Sequence, residues 1–153
     1  MTQNYQLKTL DDTKLLAKAI AKIADRNIYL LLSGELASGK TQLTKFIGAE
    51  IGVTDVINSP SFVILNQYQT KYDWKLIHID AYRLDKKNDF SEYFELTIDN
   101  FTIAEWPEKV NWNFDKLKTI AITFKVDSDI RNLTIATNNL TSEAEQTLFA
   151  DIK

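Results

Sequence analysis

Apolar residues along this chain switch repeatedly between helical and strand-like spacing. Leu15, Leu16, Ala19, Ile20 and Ile23 recur at helical intervals behind Asp11-Asp12-Thr13, whose acidic side chains suit a helix start. The pattern predicts a first helix ending near Arg26-Asn27. Ile28-Tyr29-Leu30-Leu31-Leu32 is an unbroken apolar run and predicts a buried strand. Gln42 to Glu50 predicts a second helix, with Gly52 stopping it near Ile51. Phe62 to Gln69 and Lys75 to Asp80 are rich in β-branched and aromatic residues, and Thr70-Lys71-Tyr72-Asp73 between them predicts a hairpin turn. Ser59-Pro60-Ser61 reads as loop, because Pro60 lacks a backbone donor and restricts the residue before it. A polar stretch at Asp85 to Asn88 leads to a short helix over Phe90 to Leu96 and a buried strand over Phe101 to Glu105. Lys118 to Val126 and Ile130 to Thr137 are further strands, turned by Asp127-Ser128-Asp129. Leu140 to Ile152 closes as an amphipathic helix with Thr141 or Ser142 as its cap. Repeats, low-complexity tracts and linkers are not seen. The expectation is one α/β domain over residues 1–153, a mixed, mostly parallel sheet with helices on both faces.

The link between the first strand and the second helix carries the chemistry. Gly34-Glu35-Leu36-Ala37-Ser38-Gly39-Lys40-Thr41 matches the P-loop pattern G-x-x-x-x-G-K-[ST] in full and holds two of the chain's four glycines. The strand before it and the helix after it are the setting this motif requires, and they narrow the fold to a P-loop NTPase. Backbone N–H groups of such a loop form an anion-binding concavity, reinforced by the positive end of the following helix. Lys40 suits the β- and γ-phosphates and the Thr41 hydroxyl suits Mg²⁺. The plainer alternative is a glycine turn beside a solvated lysine.

Composition removes other classes. The chain has 153 residues, 44% of them hydrophobic and 25% charged, as in ordinary globular domains. It has no cysteine and a single histidine, His78, which excludes disulfides and a Cys/His zinc site. The first residues lack the features of a signal peptide, and no apolar stretch approaches a membrane span, so the expected compartment is the cytoplasm. Net charge is −3 and the pI is about 5.2. Arg26, Arg83 and Arg131 are the only arginines, and no basic stripe accompanies them. That balance disfavours direct grip on a nucleic-acid backbone, whose affinity comes largely from Lys and Arg.

A P-loop needs a carboxylate near its metal, usually one that ends a buried strand. Leu76-Ile77-His78-Ile79-Asp80 ends in Asp80 and Phe101-Thr102-Ile103-Ala104-Glu105 ends in Glu105. Each has a plainer reading, Asp80 as the cap of the turn into Ala81-Tyr82-Arg83-Leu84 and Glu105 as a strand-end acid facing water. Pro107 ends the second of these strands and puts Glu105 and Trp106 at the sheet rim, where ligands of such sheets bind. Trp106 either stacks near a nucleotide or plugs the rim. His78 alternates with Ile77 and Ile79 and reads as a residue that packs or hydrogen-bonds within the sheet. Trp74 and Trp112 are assigned only partial burial.

Taken in order, the P-loop, Ser59-Pro60-Ser61-Phe62, His78-Ile79-Asp80-Ala81-Tyr82-Arg83-Leu84 and Glu105-Trp106-Pro107-Glu108 resemble the TsaE (YjeE) family from about Leu7 to Thr137. Members are small bacterial ATPases needed for the threonylcarbamoyladenosine (t6A) modification of tRNA at position 37. The resemblance implies ATP and Mg²⁺ as cofactors. It implies phosphate contacts from Gly34, Leu36, Ala37, Ser38, Gly39, Lys40, Thr41 and Gln42, metal ligation by Thr41 and Glu105, and Lys40, Asp80 and Glu105 as the catalytic set. Asp80 corresponds to an aspartate that positions water, Ser59 to Phe62 to a switch-like loop, and Glu108 and Arg131 to positions that contact the nucleotide; Trp106 joins them as a candidate nucleotide-binding residue. It also implies TsaD and TsaB homologues as protein partners, with tRNA met only through that complex. The family usually reads G-[DE]-L-G-A-G-K-T, so Ala37-Ser38 departs from it. A requirement for positive φ at Ala37 would cost about 1 kcal/mol. The segment between Arg83 and Glu105 is also shorter than usual, which bears on how partners dock. Two other functions are weighed: a small-molecule kinase with Asp80 as base and Arg83 on a phosphate, and a nucleotide-dependent docking module that does not hydrolyse. No N-K-x-D guanine-reading segment is present.

Overall fold

The computed structural model describes residues 1–60, 64–84 and 90–152. Ser61 and Phe62 of the expected switch-like loop, the first residues of the expected Phe62–Gln69 strand, and the polar stretch Asp85 to Asn88 lie outside the described residues. The elements run β1 (Thr2–Leu7), α1 (Leu10–Ile23), β2 (Ile28–Ser33), α2 (Lys40–Glu50), β3 (Leu65–Gln69), β4 (Lys75–Asp80), α3 (Ser91–Thr97), β5 (Phe101–Glu105), β6 (Lys118–Asp127), β7 (Ile130–Asn138) and α4 (Ser142–Ala150). One seven-stranded sheet has the order β1-β7-β6-β2-β5-β4-β3. Its centre, β6-β2-β5-β4, is parallel, and the flanking pairs β1–β7, β7–β6 and β4–β3 are antiparallel.

Side-chain alternation along the parallel strands builds two cores. Leu30 and Leu32 of β2, Leu76 of β4, Phe101 and Ile103 of β5, and Ile120 and Ile122 of β6 face α1, α2 and α4, meeting Leu16, Ile20, Leu43, Ile47 and Leu148. On the opposite face Tyr29, Leu31, Ile77, Ile79 and Ala104 meet Phe94 of α3 and the segment bearing Trp112 and Phe114. Tyr29 stacks on Phe94 with ring centroids 6.1 Å apart, and its hydroxyl lies 2.5 Å from that of Thr97. Burial raises the Tyr29 phenol above its ordinary value, with the Thr97 hydrogen bond opposing. Trp74 is buried rather than partly so, against Phe101.

The largest differences from the sequence pattern lie at β1 and at the two ends of α1, while α2 begins two residues earlier than expected and α4 is two residues shorter at each end. β1 is an additional strand, paired antiparallel with β7 from Thr2↔Ala136 to Leu7↔Arg131. It is an edge strand with only Leu7 buried, so it carries no apolar alternation to betray it. α1 is capped by Thr9 in a capping box with Asp12, not by the acidic residues alone: Asp12 N–H donates to Thr9 Oγ1 and the Asp12 carboxylate accepts from Thr9 N–H. α1 also stops at Ile23 rather than near Arg26-Asn27. Asn27 has left the helix with φ +60, its N–H donating to Asn100 O at 2.8 Å and its side-chain oxygen accepting from Asp99 N–H at 2.8 Å. The chain is thereby pulled into the start of β2. The hairpin before β4 is closed by Thr70, whose hydroxyl donates to Trp74 O and accepts from Tyr72 N–H.

Parallel register brings three strand ends together. Leu32 of β2 pairs with Glu105 of β5, and Asp80 of β4 pairs with that same Glu105. The P-loop leaves β2 one residue beyond this row and turns into α2, so the helix N-terminus and both acids occupy the carboxyl edge of the sheet. The central strand that sets this row depends on Leu30, which is fully buried. Leu30→Ala is expected to destabilise the fold by about 2–5 kcal/mol through lost burial and a residual cavity, read as a lower urea midpoint with an unchanged m-value.

Candidate functional site

The loop from Gly34 to Gly39 reverses the chain by three positive-φ residues, Gly34 at +145, Ala37 at +61 and Gly39 at +113. A side chain at Gly34 would fall 2.9 Å from Phe124 of β6, so the first glycine is required by the close approach as well as by its dihedral. Ala37 does adopt the left-handed conformation that the usual glycine would take freely, at a cost of about 1–2 kcal/mol. Gly39 leads into α2 with no side-chain cap and no acid in the first turn. The N–H groups at that end therefore remain available to an anion. Lys40 folds back over the loop, donating to Gly34 O at 2.5 Å, Glu35 O at 2.8 Å and Ser38 Oγ at 3.3 Å. Its ammonium also sits 4.6 Å from the centroid of the Trp106 ring. Burial lowers the Lys40 pKa from the ordinary lysine value, while Glu105, Asp80 and Glu108 oppose that shift. From β7, Arg131 Nε donates to Ser38 O at 2.9 Å and braces the loop from behind.

Facing the start of α2 is the acidic strand edge. Thr41 Oγ1 donates to Glu105 Oε1 at 3.1 Å, with Oε2 at 3.4 Å. Glu105 is only 3% exposed, so it is not a strand-end acid facing water. Its second oxygen lies 2.6 Å from His78 Nε2. Asp80 satisfies both of its readings at once. Oδ1 accepts from Tyr82 N–H at 3.0 Å, capping the turn, and Oδ2 accepts from Ser59 Oγ at 2.8 Å, tying that loop to the sheet edge. Trp106 sits at φ +60 immediately before Pro107, a conformation rare for a bulky residue. Its ring is tilted against Tyr82 with centroids 5.1 Å apart.

The tip of the loop, the start of α2 and the strand-end acids line one cavity of about 550 Å³, a size suited to a nucleotide-scale ligand. Of the residues expected from sequence, Leu36, Ala37, Ser38, Gly39, Lys40, Thr41, Gln42, Asp80, Glu105, Trp106 and Arg131 line it. Two do not. Gly34 lies at the root of the loop against Phe124, and Glu108 sits beside Ser33, whose hydroxyl donates to it at 3.2 Å. Leu7, Lys8, Thr9, Leu10 and Thr13 form a wall that the sequence reading did not include. They come from the junction of β1 and α1, and without β1 there was no reason to place that junction beside the P-loop. Thr9-Leu10-Asp11-Asp12 is a legible helix start, but nothing in it says what it faces. The donor set fits a magnesium–triphosphate: hydroxyl and carboxylate oxygens from Thr41 and Glu105 leave the remaining positions to phosphates and water, as this ion prefers.

A family model described as "Threonylcarbamoyl adenosine biosynthesis protein TsaE" matches residues 7–133. Among curated proteins, the chain is 37% identical to the tRNA threonylcarbamoyladenosine biosynthesis protein TsaE of Streptomyces coelicolor over 97 residues, 61% of this chain and 66% of that protein. It is 34% identical to the protein of the same name from Aquifex aeolicus over 105 residues, covering 67% and 75%, and 28% identical to that of Bacillus subtilis over 127 residues, covering 81% and 78%. The crystal structure of Bacillus subtilis YdiB superposes with a TM-score of 0.69 at 24% identity, over 98% of this chain and 93% of that one, a likeness of fold. With the family match spanning the P-loop, both acidic strand ends and the β7 arginine, the chain belongs to the TsaE family of threonylcarbamoyl adenosine biosynthesis proteins.

Proposed function

We propose that this protein binds ATP with Mg²⁺ and hydrolyses it slowly, as an accessory ATPase to t6A formation on tRNA, together with TsaD and TsaB homologues. One observation carries the reading: the P-loop lysine, the first hydroxyl of α2 and two strand-end carboxylates converge on a single cavity. Lys40, the loop amides and the N-terminus of α2 bind the phosphates. Thr41 and Glu105 hold the metal, which when bound neutralises charge on the β- and γ-oxygens. Asp80 orients the attacking water and, through Ser59, links the loop at 59–60 to the terminal phosphate. Leu7, Leu10 and Leu36 offer apolar surface for the base, flanked by Thr9 and Thr13. Trp106 holds the lysine over the loop from below. Glu108 supports the site through its charge and its bond with Ser33.

Arg131 is the one arginine among the described residues that lines the cavity, and its Nε is engaged by the loop carbonyl of Ser38. Arg83 is exposed and outside the lining, and Arg26 pairs with Asp73. A kinase needs more cationic charge around the transferred phosphoryl than this, so hydrolysis controlled by partners is the better reading. Net charge of −3 fits a component that leaves tRNA to its partners. The family's part in tRNA modification favours action in the cytoplasm; no helix among the described residues is long and apolar enough to cross a membrane.

Purified protein is expected to show weak ATPase activity that rises at least tenfold with TsaB and TsaD homologues. Unassisted P-loop GTPases turn over at roughly 10⁻⁴ s⁻¹ and gain about 10⁵ from a supplied arginine. ATP-dependent t6A formation on tRNA is expected to be lost with Lys40→Ala, and equal product from both proteins would refute the reading. A pH profile supplies the second check. Because burial lowers the Lys40 pKa, the ammonium is lost on the alkaline side before an ordinary lysine would titrate. ATP affinity should therefore be full near neutrality and fall as pH rises through that value. Phosphate binding favours the charged form, so calorimetry in buffers of different ionisation enthalpy should show proton uptake at alkaline pH that is absent in Lys40→Ala.

A further inference from the structure

We propose that His78 is a positioning residue for the metal site: from the middle of β4 it fixes the Glu105 carboxylate so that Oε1 faces Thr41. The inference rests on the reading of Thr41 and Glu105 as metal holders and adds the group that orients them. His78 is 0% exposed and lies on the same strand face as Asp80. In the parallel register it stands opposite Ile103, one alternation behind the Asp80↔Glu105 pair. That offset aims the imidazole forward, along the sheet, at the neighbouring strand's terminal acid.

The contact is specific in its atoms. Nε2 is 2.6 Å from Glu105 Oε2, and a carboxylate only accepts, so Nε2 carries the hydrogen. Oε1 is the oxygen nearer to Thr41 Oγ1, at 3.1 Å. Oε2 lies farther from that hydroxyl, at 3.4 Å, and is held by the imidazole, so Oε1 is the oxygen turned more closely to the start of α2. A glutamate has three side-chain torsions, and a ligand carboxylate held by an outer partner keeps its geometry when the metal arrives. His78 Nδ1 has no hydrogen-bond partner among the described residues. An apolar side chain would fill this position in the sheet without leaving a buried polar atom unmatched. The ring is therefore better explained by what Nε2 does than by packing.

The experiment compares the affinity of a non-hydrolysable ATP analogue in EDTA with that in excess Mg²⁺, by calorimetry, for wild type, His78→Gln, His78→Asn and Glu105→Gln. Glutamine places an amide donor the same number of bonds from Cα as Nε2, whereas asparagine falls one bond short. Loss of such an outer partner typically lowers metal affinity by about 10–100-fold. His78→Asn is expected to lose at least tenfold of the Mg²⁺-dependent gain in affinity while its affinity in EDTA stays within about twofold of wild type. His78→Gln is expected to recover most of that gain. Wild-type Mg²⁺ dependence in His78→Asn, or equal loss in the two variants, would overturn the proposal. Absence of Mg²⁺ dependence in wild type would instead overturn the metal reading, and this inference with it. Since His78 is the chain's one histidine, its ring nitrogens can also be followed by NMR in the unmodified protein, whatever the variants' stability. The Nε2–H tautomer, with a resonance that moves when Mg²⁺ is added to the nucleotide complex, is the expected result. The Nδ1–H tautomer, or no response to Mg²⁺, would refute it.

Discussion

The site depends on the parallel pairing of β5 between β2 and β4. That register places Glu105 beside Leu32 on one side and Asp80 on the other. A slip of one residue would turn Glu105 toward the α3 face and remove it from Thr41, because side chains alternate along a strand. The apolar residues behind the row forbid such a slip. Leu30, Leu32, Ile103 and Leu76 must face α1 and α2, and Tyr29, Leu31, Ile77 and Ala104 must face the other way. The hydrophobic core thus sets the position of the carboxylates, and burial energy is converted into geometry at the sheet edge.

Charge at that edge is balanced by competing effects. Burial works against the Lys40 ammonium, and the carboxylates of Glu105, Asp80 and Glu108 work for it. Loop carbonyls and the Trp106 face complete its surroundings. The lysine is thus held in one place over the loop, and little ordering of its side chain is left to any binding step. Strain accumulates in the same place. Ala37 and Trp106 both sit in the left-handed region, each at a cost of about 1–2 kcal/mol. Neither would persist in a free loop. Arg131 braces the first from β7, and Pro107 with the Tyr82 contact confines the second.

Membership of the TsaE family and the geometry of the cavity support each other by different routes. The family match rests on residue identities along the chain, the cavity on which of those residues meet. Lys40, Thr41, Asp80, Glu105, Trp106 and Arg131 lie within the matched residues and line the cavity. Ser59 adds a physical link between them, since its hydroxyl binds Asp80 across the site. Asp80 and the loop at 59–60 are thereby joined directly at the sheet edge.

Local pattern alone determined the parallel strands, the P-loop and its helix, the two acidic strand ends and the closing helix. Each is written in consecutive residues: an apolar run, a glycine spacing, a proline after Trp106. Tertiary structure decided what those residues meet. The polar strand Thr2–Leu7 exists because β7 offers an edge to pair with, and no apolar period announces it. Through it, Leu7, Lys8, Thr9, Leu10 and Thr13 become a wall of the cavity. The end of α1 at Ile23 was likewise set from outside, by the Asn27 bonds to Asp99 and Asn100. The sharing of the Glu105 carboxylate between His78 and Thr41 arises from strand register and helix placement together. Residues 27 and 64 positions apart in the chain cannot signal such contacts to one another except through the folded sheet.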